Sequence, residues 1–134
     1  LLAQRHGIQV GMFLMWGYEG EELSDIEATI DHVKKTNPDI FFTTVSYPIK
    51  NTPYFDSVQD RVSLPKDWET ASDRDFVIAG RHTRRYYRFA DQWLRSEVAA
   101  HRAAESDPAE ASRKRADAEL ARRELLACSD EREG

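Results

Sequence analysis

The chain has 134 residues, 40% of them hydrophobic, and a formal net charge of -5. This length suits a single domain. The mildly acidic balance gives no electrostatic reason to expect nucleic acid or an anionic membrane as a partner. No apolar run approaches the roughly 20 residues that cross a bilayer, so the sequence predicts no membrane span.

The aromatic residues lie in the first two thirds of the chain, and none follows Trp93. Residues 1–70 contain 6 basic and 11 acidic residues, whereas residues 71–134 contain 13 of each. We therefore expect the core to form from the first two thirds. The single cysteine, Cys128, excludes an intrachain disulfide and a cysteine metal cluster, and a reducing, cytoplasmic compartment is the default expectation.

The first segment is typical of a parallel α/β sheet. Leu1 to His6 is expected to be the end of a helix whose start is missing, with Gly7 as the residue after its cap. From Ile8 to Trp16 the residues are almost continuously apolar, which is the pattern of a strand covered on both faces. The sequence therefore predicts a buried strand of a parallel sheet.

A helix and a second strand follow. Ser24 and Glu27 have the spacing of a capping box, and a stripe of apolar residues continues to Asn37-Pro38, which ends the helix. Residues 40–47 are β-branched and aromatic and are predicted to form a second buried strand. Such a βαβ unit places loops 17–22 and 48–55 on one side of the sheet, where α/β folds bind ligands.

The rest of the chain is predicted to be mainly helical. Residues 56–72 are expected to form an irregular connection, with Pro65 and Trp68 docking on the sheet edge. A long helix is predicted from Asp73 to Ala104, with an arginine face. That face comprises Arg81, Arg84, Arg85, Arg88, Arg95 and Arg102. Asp107-Pro108 can cap a final helix, but its few large apolar residues lead us to expect fraying or disorder.

Several charged residues admit two interpretations. The arginine face can clamp phosphates or a propionate-bearing substrate, although a solvated helix face is the favoured interpretation, because Asp91, Glu97 and Glu105 dilute the charge nearby. Glu19 and Glu21 can form an acid/base pair or only favour the following helix N-terminus. The four histidines lack metal-ligand spacing and are interpreted as structural or solvent-facing.

The front of the chain resembles the radical S-adenosylmethionine superfamily, in particular its cobalamin-binding subclass, which includes the anaerobic Mg-protoporphyrin cyclase. The resemblance runs from Gly7 to about Asp56. It is carried by residues 7–10, by Phe-Leu-Met-Trp-Gly-Tyr-Glu-Gly-Glu at 13–21, by the helix 25–35, by Asn-Pro-Asp at 37–39 and by Tyr-Pro-Ile-Lys-Asn-Thr-Pro-Tyr-Phe at 47–55.

The resemblance implies that the two strands are the fifth and sixth of a (β/α) barrel of the TIM type. It implies an apolar contact of Met15 with the adenine of S-adenosylmethionine and a close backbone approach at Gly17. Tyr47 and Pro48 would then stand at the end of the sixth strand. The resemblance assigns no catalytic residue and no metal ligand to this chain.

Two loops depart from the family pattern. Glu19-Gly20-Glu21 stands where the family has Pro-Gly-Glu, and Lys50-Asn51-Thr52-Pro53 stands where it has Pro-Gly-Thr-Pro. The second change is mild, because Asn tolerates left-handed backbone nearly as glycine does. The cysteine triplet that binds the family's [4Fe-4S] cluster is missing from this sequence, and thiolates are what hold such a cluster.

The expected protein is therefore an α/β chain in three stretches. Residues 1–70 would form part of a radical S-adenosylmethionine barrel, residues 71–105 a long helix, and residues 106–134 a charged helical or disordered tail. The expected function is the C-terminal part of an iron-sulfur enzyme that cleaves S-adenosylmethionine and acts on an unidentified small molecule. The cluster and cobalamin would be bound by a missing N-terminal part of the same protein, so the fragment alone is expected to be inactive.

Two rival functions remain open. In the first, the chain is a non-catalytic scaffold or interaction module whose arginine-rich helix docks a partner. In the second, it belongs to another barrel enzyme that binds phosphate with the same loops.

Overall fold

The computed structural model describes residues 2–63 and 72–134. In chain order the elements are α1 (Leu2–Arg5), β1 (Gly11–Trp16), α2 (Leu23–Thr36), β2 (Ile40–Val45), α3 (Pro53–Val58), β3 (Val62–Ser63), β4 (Val77–Ile78), α4 (Arg84–Ala103) and α5 (Pro108–Ala127). Short 3-10 turns span Gln59–Arg61 and Asp73–Asp75. The docking predicted for Pro65 and Trp68 lies outside the described residues.

β1 and β2 form a parallel pair, as the sequence predicts. Gly11 lies opposite Ile40 and Met15 opposite Thr44, so the two strands end at the same edge. β3 and β4 form a separate antiparallel pair. The mixed α/β class and the helical C-terminal part are confirmed, and no closed barrel forms within the described residues.

The prediction that both strands are covered on both faces is wrong. Alternate side chains of β1 and β2 lie against the helices, and the others are open to solvent, with Phe13 83% and Phe42 49% exposed. These two rings stack on the uncovered face with centroids 5.4 Å apart. A continuous apolar run indicates that both faces are apolar, but here the described helices cover only one of them.

Helix α2 begins two residues earlier than the capping-box prediction. Its N-cap is Glu22 instead of Ser24, and the Glu22 N–H donates to the Asp25 carboxylate at 2.8 Å. Acidic residues thus occupy both capping positions, which also suits the positive end of the helix dipole. The predicted end is confirmed, because Asn37 adopts left-handed backbone (φ 42°) and donates to Val33 O.

The end of α1 and the loop after β2 also follow the sequence. The N–H groups of Gly7 and Ile8 donate to the carbonyls of Gln4 and Ala3, which is the bond pattern of a Schellman motif. Asn51 adopts left-handed backbone with φ 66°, as expected for its place in the loop.

The helical part differs from the prediction at both ends. Helix α4 begins at Arg84 instead of Asp73, because residues 72–83 form a 3-10 turn and strand β4. The tail is a 20-residue helix, α5, capped by Asp107 with Pro108 in its first turn. Arg85 at the start of α4 lies 3.8 Å from Glu124 near the end of α5, so the two helices run antiparallel.

One cluster of buried side chains joins all three predicted stretches. Its members include Trp16 of β1, Ile26 and Val33 of α2, Leu94 of α4 and Leu125 of α5. Alanines at positions 118 and 121 let α5 approach α4 closely without large apolar residues. Packing therefore orders the tail that composition alone suggested would fray.

Candidate functional site

The loops after β1 and β2 are joined at the common strand edge by Ser46. This residue is 5% exposed and directly follows β2. Its N–H donates to Trp16 O at 2.7 Å, and its hydroxyl donates to Gly17 O. The Arg81 guanidinium donates in turn to Ser46 O at 2.6 Å. Ser46 therefore fixes the relative position of the two strand ends.

A cavity of about 220 Å³ opens beside Ser46. Loop 17–21 forms one wall of the cavity. Because this loop directly follows β1, the cavity lies at the carboxyl end of that strand. Other side chains reach the wall from distant parts of the chain, namely Tyr54, Arg61, His82, Tyr87 and Arg132. We call it the loop-edge cavity.

Gly17 is enclosed by its own chain. Its φ is 76°, and a Cβ at this position would lie 2.9 Å from Cζ of Tyr87. Its N–H donates to the Glu21 carboxylate at 2.9 Å, and its carbonyl accepts from Ser46. Internal packing therefore already requires glycine here, and both polar backbone groups of Gly17 already have a partner within the chain.

Glu21 is the carboxylate most affected by this environment. Burial raises the pKa of the Glu21 carboxyl above its ordinary value of 4.5, the Gly17 N–H opposes that shift, and nearby Asp25 adds to it. The carboxyl therefore holds its proton more tightly in the folded chain than in the unfolded chain.

Glu21→Gln is expected to stabilise the chain at pH 7. With a raised folded-state pKa, the Glu21 contribution to stability falls as pH rises from 4.5 through the folded-state value. Glutamine keeps an oxygen for the Gly17 N–H and carries no charge. Because the carboxylate is partly open to solvent, we expect a gain of at most about 0.5 kcal/mol, vanishing near pH 4.

Urea unfolding of both chains between pH 4 and pH 8 measures this difference. Glu19→Gln is the control, since it removes one negative charge from the exposed part of the same loop. A Glu21→Gln advantage that is constant across the pH range would contradict the raised pKa.

A buried ion pair adjoins the cavity through Arg81, which lines its wall. Arg81 and Glu133 lie 3.1 Å apart, and their side chains are 11% and 7% exposed. Glu133 also accepts from the Ile78 N–H at 3.1 Å, and its backbone bonds to Gly80 and Arg81. The prediction that Arg81 belongs to a solvated arginine face is therefore wrong, because this residue precedes α4 and faces inward.

His82 contributes a neutral imidazole to the wall. It stacks on Tyr86 with ring centroids 3.9 Å apart. The Arg132 guanidinium lies 3.0 Å from Nδ1 and can only donate, so Nδ1 accepts and the proton resides on Nε2. Burial and then Arg132 lower the pKa of His82, which favours the uncharged ring.

The remaining polar groups limit the chemistry of the cavity. Glu19 pairs with Arg61 across the mouth at 3.2 Å. Burial raises the pKa of the Tyr87 hydroxyl far above its usual range, so it remains a neutral hydrogen-bond donor at physiological pH. The cavity can therefore bind a small polar group between fixed donors and acceptors.

The four residues proposed for cofactor binding occupy one edge of the sheet but different environments. Gly17 lines the loop-edge cavity. Met15 is 54% exposed on the uncovered sheet face. Tyr47 lies beneath the Arg74 guanidinium, 5.6 Å from the ring centroid, and Pro48 is fully buried. Pro48 can thus shape the backbone but offers little surface to a ligand.

The cysteine does not fit an iron-sulfur site. Cys128 is 1% exposed in the core, and its thiol donates to Leu125 O. Burial raises its pKa, which disfavours the thiolate that iron requires. Within residues 2–63 and 72–134, no group of three or more His, Cys, Asp or Glu side chains is arranged to hold a metal ion.

Sequence patterns could not reveal most of the cavity. Tyr54, Arg61, His82 and Arg132 come from four separate segments, and no spacing in the chain connects them. The parallel-strand pattern did predict that the loops after the two strands share an edge. Loop 17–21 lies at this edge and forms part of the cavity wall.

The chain was compared with protein-family models, with curated proteins and with solved structures, and none of these comparisons gives a match. Among the described helices, none is both long enough and apolar enough to cross a membrane.

Proposed function

We propose that this chain supplies the nucleoside-binding edge of a radical S-adenosylmethionine enzyme, as two neighbouring strands of its (β/α) barrel. One observation carries the proposal. Met15 lies near the carboxyl end of β1 on the helix-free face of a parallel pair, while its neighbour Trp16 is buried on the helix face. In a barrel, the face without helices is the face that looks inward.

The surroundings of Met15 suit an adenine ring. Its partner in the register is Thr44, and Phe13 lies on the same face two residues earlier. Together they form a flat, exposed apolar surface bordered by a hydroxyl, which is the kind of lining that small-molecule sites use. Met15 would contact the adenine, while Gly17 and Tyr47 would border it at the strand ends and Pro48 would hold the backbone of the second loop.

The proposal assigns only the nucleoside contact to this chain. S-adenosylmethionine, when reduced by a [4Fe-4S] cluster, supplies a 5′-deoxyadenosyl radical. The buried Cys128 thiol does not fit such a cluster, so the cluster, and cobalamin if the enzyme uses it, would be held by thiolates and a domain outside these residues. What this chain's own residues do is orient the nucleoside and cover one side of it.

Methyl spectroscopy of the two methionines tests the proposal. With ¹³C-methyl methionine, titration with S-adenosylmethionine or adenosine is expected to shift the Met15 signal. The Met12 signal should remain in place, because Met12 packs against the core on the other face. Failure of both ligands to move the Met15 methyl at millimolar concentration would overturn the proposal and favour the scaffold alternative.

A matched pair of variants sharpens this test. Met15→Ala is expected to weaken adenosine binding about tenfold, since it removes the main apolar contact. Ile40→Ala is the control, because Ile40 is 50% exposed on the same face but at the opposite end of the pair. Equal losses in the two variants would indicate non-specific adsorption to the apolar face.

A further inference from the structure

A second cavity of about 330 Å³ lies between β2 and the start of α4. We call it the arginine groove. Its wall includes Trp16, Thr43, Thr44, Arg74, Arg84 and Arg88. Met15 does not line the groove, so a ligand bound there would not depend on the nucleoside contact proposed above.

Three arginines of the groove are poorly neutralised. Arg74 and Arg88 form no ion pair within the described part of the chain, and each guanidinium lies over an aromatic ring. Arg84 has one distant carboxylate partner, Asp75, at 3.9 Å. Positive charge therefore accumulates on one wall of the groove, and residues 2–63 and 72–134 supply no counterion of matching strength.

Other described charged groups at the groove do not compensate for these three arginines. Asp91 accepts from the Thr43 hydroxyl and is paired with Arg95 at 2.7 Å. Arg81, which also lines the groove, is paired with Glu133. Among the described lining residues, Arg74, Arg84 and Arg88 are therefore the cations that remain for a ligand.

The positions of Arg84 and Arg88 in helix α4 are electrostatically unfavourable. Arg84 is the first residue of α4, and the first turn contains no acidic residue. Cations repel the positive end of the helix dipole, and Arg84 and Arg88 repel each other at a spacing of four. Helix α5 shows the ordinary arrangement, with an Asp107 cap and Glu110 in its first turn.

A buried donor adds an independent indication. Trp16 is 1% exposed, it lines the groove, and its indole N–H has no acceptor among the described residues. Buried N–H groups are nearly always satisfied, so this unpaired donor is available to an acceptor bound in the groove.

We propose that the arginine groove binds the phosphate group of a small phosphorylated molecule. Guanidinium groups match the oxygens of phosphate in pairs of parallel hydrogen bonds, and Arg74, Arg84 and Arg88 would supply them. The indole N–H of Trp16 is a further donor on the same wall. The groove is large enough to hold part of an organic molecule as well as the phosphate.

The test is a titration of the ¹⁵N-labelled full chain with inorganic phosphate at constant ionic strength, with chloride as the reference anion. The Trp16 indole signal is expected to shift and to saturate. Phenyl phosphate, a monoester, is expected to bind at least as tightly. A shift that does not saturate, or that chloride reproduces, would overturn the site, and binding of inorganic phosphate alone would overturn its assignment to phosphorylated molecules.

Two variants separate the groove from general charge. Arg88→Gln is expected to weaken phosphate binding at least tenfold. Arg115→Gln removes the same charge from an exposed arginine of α5 with no ion pair in the described chain, and affinity should stay within twofold. Equal weakening by the two variants would contradict the proposal.

Thermal unfolding provides a second readout that does not require the variant to be as stable as the parent chain. Phosphate is expected to raise the Tm of the parent chain and of Arg115→Gln, because a ligand of the folded state stabilises it. Arg88→Gln should show little such increase. An equal increase in all three chains would overturn the assignment.

Discussion

Glu133→Ala is expected to destabilise the chain by about 3 kcal/mol, although it changes a residue next to the last one of the sequence. The reason is the environment of its carboxylate. Glu133 is 7% exposed, pairs with Arg81 and accepts the Ile78 N–H. Alanine leaves a buried guanidinium without its counterion and a backbone donor without its acceptor, and both losses are large in a site that excludes water.

The expected loss is at the lower end of the range for buried pairs. Arg81 keeps one strong bond, to Ser46 O, and the space left by the Glu133 side chain can admit water to the guanidinium. Since Ser46 also holds the carbonyl of Gly17, disorder at Arg81 is expected to spread to the loop-edge cavity. Amide exchange of Gly17 and Ser46 should therefore accelerate together in the variant.

Glu131→Ala is the matched control for this prediction. Glu131 lies two residues earlier and pairs with Arg85 at 3.3 Å, but both side chains are about half exposed. Exposed pairs contribute little, so a loss below about 0.5 kcal/mol is expected. Urea unfolding of the three chains measures the comparison. Similar losses for Glu131→Ala and Glu133→Ala would mean that burial of the Arg81–Glu133 pair has no special role in stability.

The sheet and its crossover helix were predictable because local patterns determine them. The apolar stripe of α2 repeats with helical spacing, and Asn37-Pro38 cannot continue a helix. The runs around Met15 and Phe42 are apolar and β-branched enough to favour strands. The capping position was missed by two residues because Glu22 and Asp25 provide the same bonds that Ser24 and Glu27 could have provided.

The parts that were not predicted depend on contacts between distant residues. Arg81 and Glu133 are 52 positions apart, and no sequence pattern distinguishes Arg81 from the exposed arginines of α4. Arg81 is buried because strand β4 and residues 132–133 pack around it. An isolated bridge between His82 and Arg132 holds these two segments together. Helix α5 is likewise ordered by contacts between distant residues, because it packs against α4.

Apart from Arg81, which is buried against Glu133, the arginine face separates into two groups in the structure. Arg85, Arg95 and Arg102 bond to residues of other segments or to Asp91 and hold α4 against the sheet and α5. Arg84 and Arg88 point into the groove and have few partners. Neither a uniformly solvated face nor a uniform docking surface describes the helix, because the two groups differ in what surrounds them.

Gly17→Ala is expected to destabilise the chain by about 3 kcal/mol, from two separate causes. The φ of 76° places an L-residue in left-handed backbone, which is unfavourable by about 1 kcal/mol. The added Cβ also falls 2.9 Å from Cζ of Tyr87, whose ring is only 3% exposed. Overpacking of this kind is unfavourable by about 2 kcal/mol, because the ring must leave its packed position to relieve the contact.

Gly20→Ala separates the two causes. Gly20 has a similar φ of 83°, but no atom lies within 4 Å of the position that its Cβ would occupy. Only the backbone term of about 1 kcal/mol is expected there. Tyr87→Leu removes the clashing atoms of the ring, and in that background the effect of Gly17→Ala should fall to that of Gly20→Ala. An unchanged effect would show that Tyr87 is not the reason for the glycine.

The same double variant tests whether Gly17 has a second role in ligand binding. If internal packing alone requires glycine, adenosine should bind to Gly17→Ala/Tyr87→Leu as tightly as to Tyr87→Leu alone. If adenosine also approaches the Gly17 peptide, the Cβ should weaken binding even though the clash with Tyr87 has been removed. Titration of both variants, followed by the Met15 methyl signal, therefore separates a glycine required by the fold from one that the nucleoside also requires.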